Sequence, residues 1–267
     1  MVRRLPHVSF VETVLWGQDL LDLDRLVSVF GDTPEVVVHQ PFSRPDGGDV
    51  DVVHPDEAVR SASFTVWEST LRLADRLGAD KVVIHPGGLA PREIVGTEEH
   101  GLRRADALER FEAALERLGR DHDLSRVLVE NMPTEGHDAA GDPVAFLIGS
   151  APVDLMGWRD LVGGFCLDIS HAAMTPGGMQ TVDQMFGRLG GAIRHLHVAD
   201  GRPPDHEGLA IGDGIVDWRR VAERVESLDE ALGDSLTAVA EIKGGHLDDA
   251  AGFRVALERM HRSFMAG

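Results

Sequence analysis

Six short apolar runs in this chain each finish on a residue type that binds metals or moves protons. "EVVVHQ" (35–40) carries His39, "KVVIHPG" (81–87) His85 and "RVLVEN" (126–131) Glu130. "GFCLDI" (164–169) carries Asp168, "IRHLHVAD" (193–200) His197 and "TAVAEIK" (237–243) Glu241. Singly, each has an ordinary explanation. A histidine after a strand is more often a loop residue than a ligand, and an acid there is more often a helix N-cap. Together they require the same coincidence in six successive units. A carboxylate at the end of an apolar run is also costly to desolvate unless it is paired or coordinated. The joint pattern therefore predicts a metal centre.

The residue types narrow the ion. Carboxylates with imidazoles suit Zn, Mn, Fe or Co rather than Ca. The single cysteine, Cys166, lies in an apolar run and reads as core packing, so a closed structural zinc site is disfavoured. An open, oxygen-rich catalytic site fits better. His171, three residues after Asp168, is placed to hold a further metal or to contact substrate. The loop "RPPDHEGLAIGDGIVDW" (202–218) adds Asp205 and His206, for which a site role and a solvated acidic loop weigh equally. His195, two residues before His197 on the same strand face, reads as a packed, hydrogen-bonded histidine behind it.

Something must bring residues 39 to 241 together. A seventh strand candidate, "VSFVETVLW" (8–16), precedes the six, and amphipathic stretches separate them, such as 55–79 and 98–122, with a terminal one at 247–264. Near-continuous apolar strands alternating with helices predict a parallel sheet buried on both faces. Repetition of the unit, without a G-x-G-x-x-G after the first strand, favours a (β/α) TIM-type barrel over a doubly wound sheet. "GDG" (212–214) and "PGG" (86–88) are too short to be nucleotide fingerprints. The expectation is one α/β domain over residues 1–267. Seven strand units are visible, and the first of the usual eight is either missing or irregular. In a parallel barrel all strand C-termini open onto one mouth, so the six residues would converge there. An open barrel edge is a liability, and a homodimer partner or the terminal segment would cover it.

Composition excludes several classes. The formal net charge is −19, lysine occurs only at 81 and 243, and tyrosine is absent. Such acidity suits solubility at high salt or reflects codon bias. Either way the field repels phosphate backbones and argues against generic nucleic-acid binding. The one Arg-rich run, "WRRVAER" (218–224), reads as a solvated helix face. No apolar run approaches the roughly 18 residues of a membrane span. The N-terminus shows no long apolar stretch of a signal peptide. The expectation is a soluble, acidic, cytoplasmic protein.

At these residues the sequence resembles the xylose isomerase-like TIM-barrel superfamily (AP endonuclease family 2). That group unites endonuclease IV with many sugar and sugar phosphate isomerases and epimerases. The motifs are "VVVHQPF", "VVIHPGG", "VLVENMP", "GFCLDISHA", "HLHVAD", "HEGLAIGDGIVDW" and "AVAEI", in order from about residue 9 to residue 242. The resemblance implies one divalent metal, often Mn, on Glu130, Asp168, His197 and Glu241 if the chain is an isomerase or epimerase, with the two glutamates also moving protons. It implies up to three zinc ions if the chain is similar to endonuclease IV. In that case His39, His85 and a bridging Glu130 hold the first. Glu130, Asp168, His197 and Glu241 hold the second, and His171 with an Asp-x-His pair the third. Here Asp205 is adjacent to His206, which departs from that pair. "HPGG", "ENMP" and "LDISHA" lean toward the endonuclease branch.

Two functions follow. The first is a divalent-metal-dependent isomerase or epimerase of a small sugar or sugar phosphate. It would work by proton transfer through a metal-stabilised enediolate, with Glu130 and Glu241 as acid and base. His85, His171 and His39 would then meet substrate oxygens. The second is a zinc-dependent phosphodiesterase acting on abasic DNA, which His39 and His85 favour. The charge opposes it. So does the loop after His39, which offers Phe42 and Arg44 but no basic clamp. A non-catalytic barrel would have lost the carboxylates, and they are present. The isomerase reading is preferred. Under either enzyme reading, Asp168→Asn is expected to lose both bound metal and activity, checked by elemental analysis of the purified variant beside its turnover.

Overall fold

The computed structural model describes residues 9–31, 33, 35–204, 206–232 and 236–265. Runs of β-branched and aliphatic residues too short for helices form the strands, and longer amphipathic stretches form the helices between them. In chain order these are β1 (Val11–Glu12), α1 (Leu23–Phe30), β2 (Val36–His39), α2 (Glu57–Leu77), β3 (Lys81–Ile84), β4 (Leu89–Pro91) and α3 (Glu98–Leu118). Next come β5 (Val127–Glu130), β6 (Glu135–His137), β7 (Pro143–Phe146), α4 (Pro152–Trp158), β8 (Gly164–Asp168), α5 (Ile169–Met174) and α6 (Met179–Leu189). The chain ends with β9 (Ile193–Val198), β10 (Asp200–Arg202), β11 (His206–Leu209), α7 (Trp218–Leu232), β12 (Thr237–Ala240) and α8 (Leu247–Met265). Capping follows local chemistry. Asp22, Asp56 and Thr97 cap α1, α2 and α3 through their side chains, and Gly78 ends α2 in the left-handed conformation.

Seven strands form one parallel sheet in the order β1-β2-β3-β5-β8-β9-β12. The sheet curls into a nearly closed barrel. Glu12 on β1 reaches His195 and His197 on β9, and Lys81 on β3 reaches Thr237 on β12. The first of these seven units is short. Of the expected 8–16 strand, only Val11–Glu12 among the described residues pairs with β2, and the chain then turns into a short helical turn at Gly17–Leu21. Among the described residues, no ladder joins β12 to β1. Two small sheets escaped the sequence reading: β4-β7-β6 and the β10-β11 hairpin, both antiparallel. No helix among the described residues is long and apolar enough to cross a membrane.

Alternation along each strand sorts the side chains. Val36, Val38, Val82, Ile84, Val127, Val129, Phe165 and Leu167 belong to the large apolar layer shared with helix residues such as Trp67, Phe111 and Trp158. Val37, Val83, Leu128 and Cys166 form a separate, much smaller cluster with Phe10 against it. Each of these four stands two residues before His39, His85, Glu130 and Asp168 respectively, on the same face. The barrel interior is thus a thin apolar layer with a polar layer above it.

The loop after β9 is tied down by one carboxylate. Asp200 is fully buried. It accepts N–H donors from Gly201 (2.9 Å), Gly212 (2.9 Å), Val216 (3.0 Å) and the Trp218 indole (2.9 Å). "GDG" serves this knot. Gly212 holds φ +91°, and a Cβ on Gly214 would collide with the Asp200 carboxylate. Asp200→Ala leaves several buried donors unpaired, at about 1–3 kcal/mol each. It is expected to cost at least about 3 kcal/mol and lower Tm by roughly 6–12 °C for a chain of this size. Chemical and thermal denaturation check this; a loss under about 1 kcal/mol would mean that the loop is held some other way.

Candidate metal centre

Glu130 ends β5 with its carboxylate almost wholly buried, at 1 % exposure. Its two oxygens face different partners. Oε2 lies 3.2 Å from His39 Nε2 and 3.1 Å from His85 Nε2, and those two nitrogens are 3.2 Å apart. Oε1 lies 3.2 Å from His171 Nδ1 and 3.4 Å from His197 Nδ1. His197 Nδ1 also lies 2.7 Å from Glu241 Oε2 and 3.9 Å from Asp168 Oδ2. Two donor groups share Glu130, each with its ligand atoms within 4.8 Å of one another: His39–His85–Glu130 and Glu130–Asp168–His197–Glu241; Glu12–His39–His197 and Cys166–His195–His197 also meet that spacing. Bonds of 2.0–2.1 Å place tetrahedral ligands about 3.3 Å apart, which is the spacing of the first group.

Proton positions say what the pocket wants. The His39 Nδ1 lies 2.6 Å from the Gln40 carbonyl, which can only accept, so Nδ1 carries the proton. In the neutral ring Nε2 is then a bare lone pair aimed at a carboxylate. His171 repeats this: Nδ1 donates to the Asn131 carbonyl at 3.0 Å, leaving Nε2 3.7 Å from Glu207 Oε2. Buried lone pairs facing carboxylate oxygens repel unless positive charge lies between them. His197 Nδ1 and Glu241 Oε2 are both buried without a hydrogen-bond partner, although they almost touch. Orphaned, closely spaced acceptors fit a cation.

The electrostatics agree. Burial pushes the Asp168 carboxyl up to about 8, against the pull of His171. Burial also works against the charged forms of Glu130 and Glu241. There the neighbouring imidazoles win, His197 foremost, and both stay below the usual carboxylate range. Burial lowers His171 and His197, but the surrounding carboxylates raise both well above an ordinary histidine. Without an ion, protons must supply the missing positive charge. A divalent cation on the two donor groups would replace them, and the residues present fit that role.

The helix-cap reading of Asp168 also holds. Oδ1 accepts the His171 N–H at 2.6 Å and starts α5, while Oδ2 faces the pocket. Asn131 pins this strand end from behind. Its side chain donates to the Asp168 carbonyl (3.0 Å) and accepts the Asp168 N–H (2.7 Å).

The structure brings the six strand-end residues near one another, with His171 beside them. Neither His171 nor His206 joins a donor group of three among the described residues. His206 is exposed on β11, and Asp205 lies outside the described residues. Glu207, not singled out in the sequence, is the hairpin residue that faces His171. His195 is packed and hydrogen-bonded as read, with no exposed surface. The residue that sequence reasoning missed is Glu12. Its Oε2 lies 2.9 Å from His195 Nε2 and its Oε1 3.0 Å from His197 Nε2. Burial raises its carboxyl, but the charges of His197 and His195 outweigh this and hold it far below the usual range. A signal existed: β1 also ends on a metal-type residue, but reading that strand through to residue 16 hid it in the middle of a run.

At the mouth, Phe42 lies nearly parallel to His39 (centroids 5.7 Å, 30°) and touches the exposed Trp16 (5.6 Å). Two structures share this architecture. One is a D-tagatose 3-epimerase-like protein, at TM-score 0.66 and 22% identity, covering 97% of this chain and 91% of that one. The other is endonuclease IV from Thermus thermophilus, at TM-score 0.52 and 19% identity, covering 94% and 84%. In sequence, the uncharacterized protein MJ1311 of Methanocaldococcus jannaschii is 26% identical over 194 residues. That stretch is 73% of this chain but only 61% of the relative's length. The sequence model described as "Xylose isomerase-like TIM barrel" matches residues 16–262, and this chain belongs to that family.

Proposed function

We propose that the protein is a divalent-metal-dependent isomerase or epimerase of a small sugar or sugar phosphate. One observation carries this reading: the group Glu130–Asp168–His197–Glu241 combines a fully buried glutamate with one that opens on the mouth. Glu130 is 1 % exposed and Glu241 37 %. The metal, Mn or Zn, would be held by these four residues. It supplies positive charge toward adjacent oxygens of a bound hydroxyketone. Glu241 is held below the usual carboxylate range, which favours its ionised form; with Oε2 in the donor group, its other oxygen would take a proton from the carbon next to the carbonyl. In an isomerase Glu241 would hand that proton to the neighbouring carbon; in an epimerase Glu130 would have to start the turnover protonated, give that proton to the opposite face and leave Glu241 protonated in its place. His85 and His171, both partly open, meet substrate hydroxyls. The acidic chain supports a small ligand over a polyanion. A fold similar to a D-tagatose 3-epimerase-like protein is in keeping with it.

A second reading has its own observation. The His39–His85–Glu130 triangle is a second donor group sharing Glu130 with the first, an arrangement that suits a clustered-zinc phosphodiesterase such as endonuclease IV. His39 and His85 separate the two. Under the isomerase reading, one ion binds per chain, and His39→Ala retains that ion. Proton exchange at the substrate carbon, read by NMR in D2O across a panel of ketoses, falls by roughly 10²–10⁴-fold in Glu241→Gln. Under the second reading, elemental analysis gives two or more zinc ions per chain, His39→Ala loses one, and abasic duplex DNA is cut at low and at high salt. Stoichiometry above one together with cleavage would overturn the isomerase reading.

A further inference from the structure

Behind the candidate metal centre runs a chain of buried and half-buried polar groups that ends on His197. Lys81 Nζ donates to Thr237 Oγ1 (2.9 Å), and Thr237 Oγ1 meets His195 Nδ1 (2.6 Å). His195 Nε2 meets Glu12 Oε2 (2.9 Å), and Glu12 Oε1 meets His197 Nε2 (3.0 Å). These residues come from β3, β12, β9 and β1, so the chain crosses the barrel interior from wall to wall.

With both imidazoles neutral, as a cation bound at His197 requires of that ring, each link admits one proton arrangement. An ammonium only donates, so Thr237 Oγ1 accepts from Lys81 and gives its single proton to His195 Nδ1. His195 therefore carries its own proton on Nε2, directed at Glu12. A carboxylate only accepts, so the other Glu12 oxygen takes a proton from His197 Nε2. The proton on Nε2 leaves His197 Nδ1 as a lone pair, and Nδ1 is the atom aimed at Glu130, Asp168 and Glu241. Reversing the His195 or the His197 link sets a ring-nitrogen lone pair against a Glu12 oxygen in a buried place.

We propose that Glu12 is a positioning residue that fixes the tautomer and ring orientation of His197 so that Nδ1 is always presented to a cation, with Lys81, Thr237 and His195 ordering the protons behind it. Carboxylates behind metal-bound imidazoles act this way in general, and their loss weakens metal affinity about 10–100-fold. The inference rests only on the cation-binding part of the functional reading and is independent of substrate. It also accounts for Lys81, one of only two lysines in the chain: its charge faces the inner end of a network that contains a buried carboxylate.

The test is metal binding to the full-length, metal-stripped protein by titration calorimetry with Zn²⁺ and with Mn²⁺. Glu12→Gln preserves shape and is expected to weaken affinity by about 10–100-fold. Thr237→Val, one link further back, should weaken it less. In the zinc-loaded wild type, ¹⁵N-histidine NMR should show His197 protonated at Nε2 and coordinated through Nδ1, and Glu12→Gln should lose the sharp Nε2–H signal. If Glu12 were merely structural, its variant would unfold at lower temperature yet bind metal as tightly as the wild type when folded; that result overturns the proposal. Coordination of His197 through Nε2 overturns it as well. A wild type that binds neither ion overturns the metal centre itself, a separate failure seen in the parent protein rather than the variant.

Discussion

Negative charge inside the barrel is the constraint on which the rest depends. Glu12, Glu130, Asp168 and Glu241 all lie within about one hydrogen-bond length or a little more of a single imidazole, His197. In a low-dielectric interior such charges cannot stand uncompensated. The surrounding architecture meets this demand in three ways. Histidines face both oxygens of Glu12 and Glu130 and one oxygen each of Asp168 and Glu241. Asn131 and the start of α5 spend backbone hydrogen bonds on the Asp168 strand end. Lys81 sends a positive group in from the opposite side. What still lacks positive charge is the group Glu130–Asp168–His197–Glu241, where His197 Nδ1 and Glu241 Oε2 are left without partners.

Parallel strands make this concentration possible. Every strand delivers its last inward-facing side chain to the same end of the barrel, so one ligand per strand suffices. Glu130 sits where the two groups meet and serves each with a different oxygen. The mouth above is shaped by elements with little part in the barrel itself: the β10-β11 hairpin knotted by Asp200, the β4-β7-β6 sheet, and the Trp16–Phe42 pair.

Much of the metal centre was legible because its logic is one-dimensional. An acid or histidine that closes an apolar run stands out in any linear reading, and six of them in register imply convergence once the strands are parallel. Asp168 also shows why single residues mislead, since its helix-capping role and its pocket-facing role are both real and use different oxygens. Glu12 escaped because the strand it ends is only two residues long, and no periodicity can be read from two residues. The small mouth sheets escaped for a related reason. Their strands are only three or four residues long, β4 pairs with β7 far along the chain, and Pro143 and Gly136 within them read as loop signals.

From the sequence alone came the alternation of strand and helix, the inward face of each strand, and the residue types that end them. These are local properties, set by periodicity and by the cost of burying a charge. Tertiary structure decided which oxygen of Glu130 serves which histidines, which nitrogen of His197 faces the pocket, and that Glu12 lies behind it. Those are matters of direction. They depend on how far the sheet curls and where β1 comes to rest against β9, and a hydrogen bond's proton can be placed only when both of its ends are fixed in space.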